Sequence, residues 1–474
     1  MNMTLRLFNS ASKQLETFSP KNPDEVKIYT CGPTVYSAPH IGNFAAYIYW
    51  DLLLRVLSAN GFTPKRVLNL TDVGHLTSDG DSGEDKLEKG AKKEGKTVWE
   101  IADFYIDLFK SDFKKLGLLE PYKWARATDY IEESKALVEK LIENGYTYET
   151  SDGVYFDTSK FPGYADFAHL DLENLKAGAR VEFSGEKKNP SDFAVWKFIR
   201  KGEDHAMRWD FLGRPGYPGW HLECSSIIHA LLGEPIDIHT GGIDHIPVHH
   251  TNEIAQTYGA FKEKLAYFWL HCNFLTIDGE KISKSLGNTV TLSELEEKGF
   301  SVFDFKLWLY QGHYRSERNF TWDDLAAAKT RRLKWQNAYV AHFQKTSKYD
   351  RSLLGQMPSG DKTKFIDFKT KILNAVNNDL NSAAAFAVID ENLDKMQLLD
   401  WSVVETFFGL DISNVDKDAE YEALDQKLRP LIEKRESARK EKDYKTADAL
   451  RDKLAREGVT ILDSASGPIW QFIR

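Results

Sequence analysis

The stretch from Glu25 to Asp72 reads EVKIYTCGPTVYSAPHIGNFAAYIYWDLLLRVLSANGFTPKRVLNLTD. Its first six residues, EVKIYT (25–30), form a short run of apolar and β-branched side chains, the pattern of a buried strand ending at Cys31. A long apolar-periodic segment follows and closes on Gly61, a helix with a C-terminal glycine stop. KRVLNLTD (65–72) reads as the next strand. Strand, helix, strand in this order predicts a parallel sheet, which binds ligands beyond the carboxyl ends of its strands. Cys31 and His40 stand at such an end, so an α/β fold and a candidate site follow from one segment.

Outward from it the rhythm breaks and returns. A helix over 129–144 leads into YTYETSDGVYFDTSKF, a hairpin with a Ser-Asp-Gly turn, and polar sequence continues to about 190. The α/β pattern then resumes with helical CSSIIHALLG, the strand PIDIHTGG and the helix HHTNEIAQTYGAF. Residues 126–205 are therefore predicted to be an insertion into a Rossmann-like domain. Past residue 320 the chain reads as nearly all helix to about 455, with a break at 347–362. It ends in an aromatic tail, GVTILDSASGPIWQFIR.

A chain of 474 residues exceeds one ordinary core and predicts several domains. With 42% hydrophobic and 28% charged residues it is globular in character, and no apolar run reaches the ~18–20 residues of a membrane span. The start shows no signal or transit character. Three cysteines, at 31, 224 and 272, make no disulfide framework, which points to a reducing, cytoplasmic setting. Net charge is −9, yet 429–456 carries ten Lys/Arg against six Asp/Glu, either a solvated helix or a phosphate-tracking surface.

His40-Ile-Gly-Asn43 lies between the strand and the helix. A helix start offers unpaired N–H groups to phosphate, Gly42 lets a ligand approach the backbone, and His40 and Asn43 can donate hydrogen bonds. Lys281-Ile-Ser-Lys-Ser285, after the Asp-Gly turn at 278–279, offers Lys281 and Lys284 to a triphosphate. Each pattern alone also fits ordinary surface loops; in this order the pair is specific. HIGN with KISKS resembles the HIGH and KMSKS signatures of the class I aminoacyl-tRNA synthetases. Between them Gly241-Gly-Ile-Asp244 follows a strand, and the resemblance places adenosine there, with Gly241 and Gly242 allowing close approach and Asp244 facing the ribose.

Cys31, Cys224, His249 and Glu253 form a donor set suited to tetrahedral zinc, with His249 and Glu253 one helical turn apart. Two buried thiols would explain the cysteines equally well from spacing alone. CGPTVY…HIGN, NPSDFAVWK, GRPGYPGWHLECS, HHTNEIAQ and the closing SARKEKDYKTADALRDKLAREGVTILDSASGPIW resemble the cysteinyl-tRNA synthetases along almost the whole chain. That resemblance implies a zinc ion on these four residues and Trp220 beside the substrate, with Thr34 also facing cysteine. It implies L-cysteine, ATP with Mg²⁺, and tRNA(Cys) as partners, a monomer, and no membrane.

The domain expectation is a Rossmann-like catalytic domain at 1–125 and 206–265 with an inserted acceptor-binding (connective-peptide) region at 126–205. A KMSKS-loop region at 266–320, a helical bundle at 321–410 and an anticodon-binding domain at 411–474 follow. Departures from the family pattern are Asn43, Ile282, a longer 73–90 segment, Tyr217-Pro218 before Gly219-Trp220, and Thr251 in place of an acidic residue. Cys272 matches no ligand position and reads as a small buried apolar residue. Trp470 either stacks on an anticodon base or closes the last core.

Overall fold

The structure is a computed structural model that describes residues 3–73, 95–170, 186–200, 205–283, 287–345, 359–413, 415–464 and 467–473. Lys284 and almost all of the 73–90 segment lie outside these described residues. A small hairpin, β1 (Arg6–Asn9) with β2 (Gln14–Thr17), opens the chain. The parallel sheet follows with β3 (Val26–Thr30), α1 (Ile41–Ala59) and β4 (Pro64–Leu70). Next come α2 (Val98–Lys115) and β5 (Lys123–Arg126).

The inserted region comprises α3 (Ile131–Glu143), β6 (Thr147–Thr150), β7 (Gly153–Phe156), β8 (Phe193–Phe198), β9 (Trp209–Phe211) and β10 (Arg214–Pro218). Its antiparallel sheet has the order β6-β7-β8-β10-β9. The expected boundary at 205 is therefore too early. Gly216, Tyr217 and Pro218 of β10 pair with Phe198, Lys197 and Trp196, so the sheet needs the chain as far as 218.

The parallel sheet resumes through α4 (Trp220–Leu231), β11 (Ile236–Gly242), α5 (Thr251–Phe261) and β12 (Ala266–Cys272). Its order is β12-β11-β3-β4-β5 with every neighbour parallel. The expected limit at 265 also moves, because β12 hydrogen-bonds along β11 from Ala266 to Cys272. The chain winds one way from β3 to β5 and the other way from β3 through β11 to β12. The reversal lies between β3 and β11, and a crevice opens at their carboxyl ends.

Two backbone features fix that crevice. A Cβ on Gly32 would lie 1.6 Å from the Asn69 carbonyl oxygen, so only glycine lets the Cys31 loop sit on β4. Asp278 and Gly279 both have positive φ, 51° and 81°, as a two-residue hairpin turn between β13 (Leu275–Ile277) and β14 (Glu280–Lys281) demands. That hairpin delivers Lys281.

The helical half comprises α6 (Leu292–Glu297), α7 (Val302–Tyr310), α8 (Trp322–Lys345), α9 (Ser359–Val376), α10 (Ser382–Asn392), α11 (Leu398–Phe408), α12 (Val415–Lys440) and α13 (Tyr444–Arg456). Between α7 and α8, β15 (Arg318–Phe320) joins β13. A closing hairpin pairs β16 (Val459–Ser464) with β17 (Gly467–Phe472).

Helix α1 is apolar nearly all round because α7, α9 and α11 cover the side away from the sheet. Tyr49 and Tyr310 hydroxyls donate across this joint to the carbonyls of Leu309 and Ile48, at 3.1 and 3.0 Å. The charges within it are paired: Asp51 accepts from Arg55 at 2.7 Å and from Lys306 at 3.2 Å. Trp470 is fully buried and its indole N–H donates to Asp425 at 2.8 Å. It closes the last core, and the base-stacking expectation falls. No helix among the described residues is long and apolar enough to cross a membrane.

Candidate active site and metal centre

The crevice is a cavity of about 370 Å³. One end is built by His40, Gly42, Asn43 and Lys281, with Gly241, Gly242 and Asp244 on the β11 side. The backbone N–H of His40 donates to Asn43 Oδ1 at 3.0 Å, so the asparagine oxygen caps α1. What Asn43 can offer an anion is then its amide N–H. The two signature segments touch. Ile41 N–H donates to the Val290 carbonyl at 2.8 Å, and a Cβ on Gly42 would stand 2.7 Å from Ile282 Cδ1. The glycine and the isoleucine of KISKS thus share one small space. Downstream, Asn288 holds that loop at both faces, accepting from Ser283 N–H at 2.8 Å and donating to the Lys281 carbonyl at 3.0 Å.

The other end is buried and densely polar. Cys31 ends β3, Cys224 lies on α4, His249 lies in a widened turn before α5, and Glu253 is on α5 itself. One donor atom from each of the four lies within 4.8 Å of all the others. Four ligands around zinc, at ~2.0–2.3 Å from it, stand about 3.3–3.8 Å apart, so the set fits a tetrahedral ion after small adjustments. The donor chemistry fits as well, since two sulfurs, an imidazole and a carboxylate out of water suit a borderline-soft cation.

Electrostatics follow from this crowding. Burial pushes the Cys31 thiol well up, with Cys224 adding to the effect. Burial acts on Cys224 in the same sense, but the hydrogen bond from Cys31 and the His249 charge prevail and lower it. His249 is opposed by burial yet raised to about 10 by Glu253 and Cys224. Glu253 is likewise opposed by burial and driven down by His239 and His249. In the metal-free cluster Glu253 and His249 each favour the other's charged form, and Cys224 is the more readily ionised of the two thiols.

Trp220, at the start of α4, lies with its ring centre 4.6 Å from that of His249, and Thr34 lines the cavity beside Cys31. Cys272 also lines it but is not one of the four donors, and burial raises its thiol to about 12. All expected site residues that are described meet in this one cavity except Glu253, which lies behind its floor as part of the donor cluster.

A surrounding layer of histidines escaped the sequence reading. His221 Nδ1 is 3.0 Å from His249 Nδ1, and His239 Nε2 is 2.6 Å from Glu253 Oε2. His250 Nε2 is 3.3 Å from Cys31 Sγ, while its Nδ1 faces His271 Nε2 at 2.7 Å. Eight of the thirteen histidines fall between residues 205 and 271, a density that is the one sequence signal for this layer.

Residues 17–330 match the family model described as tRNA synthetases class I (C) catalytic domain. Residues 422–474 match the cysteinyl-tRNA ligase anticodon binding domain. A cysteine–tRNA ligase of Burkholderia lata is 41% identical over 475 residues, spanning 98% of this chain and 96% of its own. One of Treponema denticola is 37% identical over 492 residues, covering 99% of this chain and all of its own.

The chain belongs to the cysteine–tRNA ligase family.

Its fold agrees. The methionyl-tRNA synthetase of Mycobacterium tuberculosis, solved with methionyl-adenylate, superposes with a TM-score of 0.57 at 14% identity over 84% of this chain and 87% of that one. Members of the cysteine–tRNA ligase family are class I aminoacyl-tRNA synthetases, ligases that attach an amino acid to tRNA with ATP, and the sequence-level resemblance holds.

Proposed function

We propose that the chain activates L-cysteine with ATP and transfers it to the 3′-terminal adenosine of tRNA(Cys). One observation carries this reading: the Cys₂-His-Glu set and the two phosphate signatures open on the same small crevice. Cys31, Cys224, His249 and Glu253 would hold the ion. Zinc supplies a thiophilic acceptor that separates cysteine from serine by bond chemistry, where an apolar pocket separates near-isosteres by only ~1–3 kcal/mol.

The chain's own residues do the rest. Trp220 and Thr34 wall the substrate end and exclude larger side chains. The cysteine carboxylate attacks the α-phosphorus of ATP in line and pyrophosphate leaves, so the step needs placement and charge stabilisation and no side-chain nucleophile. His40 and the Asn43 amide contact phosphate oxygens, and Lys281 with Lys284 neutralises the charge that develops on them. Gly241, Gly242 and Asp244 receive the adenosine, and Mg²⁺ accompanies the nucleotide. The adenosine 2′-hydroxyl of tRNA then takes the cysteinyl group.

The acceptor assignment leans on the C-terminal half. A ligase that passes activated cysteine to an amino sugar has no use for an anticodon-binding region. A cleft of about 830 Å³ between α8, α13 and the final hairpin presents Lys334, His342, Lys345 and Arg451, groups suited to tracking an RNA backbone. The test joins metal analysis to cysteine-dependent ATP–pyrophosphate exchange, with serine as competitor. Cys224→Ser is expected to lose zinc and exchange together. Metal-free protein that still activates cysteine over serine would refute the reading.

A further inference from the structure

His245 ends the segment HTGGIDH, directly after Asp244, and is not among the proposed ligands of the ion or the nucleotide. Its side chain lines the crevice together with Cys31, Trp220, Cys224 and His249. The ring centre lies 5.2 Å from that of His249 and 5.1 Å from that of His250, so the imidazole sits at the sulfur end. Trp220 meets it nearly at a right angle, 85° with ring centres 6.4 Å apart. We infer that His245 is a specificity-determining residue that donates a hydrogen bond from Nδ1 to the sulfur of the bound cysteine. The inference rests on the proposed activation of cysteine in this crevice and gives the chain a second means of reading the sulfur.

His245 Nδ1 is a buried atom without a hydrogen-bond partner. Buried polar atoms are otherwise almost always paired, so an orphan in a cavity wall points to a ligand that completes it. The space around it is kept clear. A Cβ on Gly241 would stand 2.7 Å from this nitrogen and 3.0 Å from His250 Nε2, so glycine leaves open the room that both nitrogens border. His250 Nε2 is in turn 3.3 Å from Cys31 Sγ, which sets that room beside the four donors.

Charge sets the direction of the bond. With cysteine bound, the thiolates of Cys31, Cys224 and the substrate and the Glu253 carboxylate bring four negative charges to a divalent ion. Two negative charges then remain in excess out of water, and an N–H donor facing them is favoured over a lone pair. A neutral imidazole carries its proton on either nitrogen, and a thiolate beside Nδ1 draws the proton there. Serine in the same place presents a neutral hydroxyl, to which the bond is weaker. The histidine thus adds to the preference for sulfur and does so without touching the ion.

The experiment uses the full chain with Co²⁺ in place of zinc, because sulfur-to-cobalt charge-transfer absorption reports a bound thiolate directly. Titration with cysteine is expected to strengthen that band and to give a dissociation constant. An N–H···S bond lowers the sulfur orbitals, so His245→Leu is expected to move the cysteine-induced band to longer wavelength. The same variant is expected to bind cysteine about 10–100-fold more weakly, the range for a hydrogen bond to a charged group. 2-Aminobutyrate, which has a methyl group in place of the thiol, is expected to bind both forms alike by calorimetry. His245→Asn, whose amide nitrogen stands near the place of Nδ1, is expected to recover most of the band position and affinity. Unchanged cobalt content and melting curves show that the fold and the ion site persist. An unmoved band with unchanged affinity in His245→Leu overturns the inference, as does an equal loss for cysteine and 2-aminobutyrate, which is lost packing alone. Wild-type protein whose spectrum ignores cysteine refutes the activation reading; a wild-type response that neither substitution alters refutes only the role of His245.

Discussion

The two ends of the crevice are built on opposite plans. At the sulfur end every donor is buried and a second layer of His221, His239, His250 and His271 holds those donors in place. At the end built by the HIGN and KISKS segments Asn43 and Lys281 are exposed. On the proposed function the difference follows from the tasks. Choosing a thiol over a hydroxyl depends on ligand geometry set to fractions of an ångström, so the donors are fixed before the substrate arrives. Neutralising a triphosphate requires cations that can close on a ligand and release it, so they stay in solvent until then.

The hardest break is at Glu253. Glu253→Gln strips the carboxylate from between His249 and His239, and the metal-free protein should lose about 3–5 kcal/mol, the usual cost of removing one partner of a buried charged pair. Urea unfolding measures it, and zinc content should fall to zero in parallel. At the other end Lys281→Ala should cut cysteine-dependent exchange by about 10²–10³-fold, the range for one transition-state charge contact, with zinc content normal. A variant that lost zinc would erase the contrast between the ends.

His221→Ala tests the supporting layer, since His221 touches His249 but not the ion. Zinc affinity measured against a chelator should drop by about 10–100-fold while the fold survives. The pH response sharpens the same point. In metal-free protein His249 is raised from 6.5 to about 10, so its contribution to stability is complete below about 6.5 and is lost as pH rises through about 10. Zinc must displace that proton and the one that burial keeps on Cys31, so its apparent affinity between pH 6 and 8 should climb about a hundredfold per unit. A tenfold slope would mean that one of the two groups has already lost its proton. The smallest effect belongs to Asn43→Ala, which removes the α1 cap and should cost about 1 kcal/mol in thermal unfolding.

The legible parts of the sequence were local ones. The β3–α1–β4 unit, the Asp278-Gly279 hairpin and the pairing of His249 with Glu253 are each fixed by residues within a few positions, and short-range backbone chemistry set them as read. The misplaced boundaries have a common cause. The sheet membership of β9, β10 and β12 depends on the partner each pairs with, and neither period nor propensity names a partner. Trp470 stayed open between two readings for a related reason: an aromatic near a chain end looks the same whether a core closes over it or not.

By itself the sequence determined the chemical inventory: the phosphate signatures in order, the four donors, and an α/β frame with an insertion and a helical tail. Only the tertiary structure decided that β11 returns beside β3, which carries Cys224, His249 and Glu253 across some 200 positions to Cys31 and surrounds them with histidines. Such convergence is a property of long-range strand pairing and burial, and chain-distant contacts of that kind leave almost no trace in local pattern.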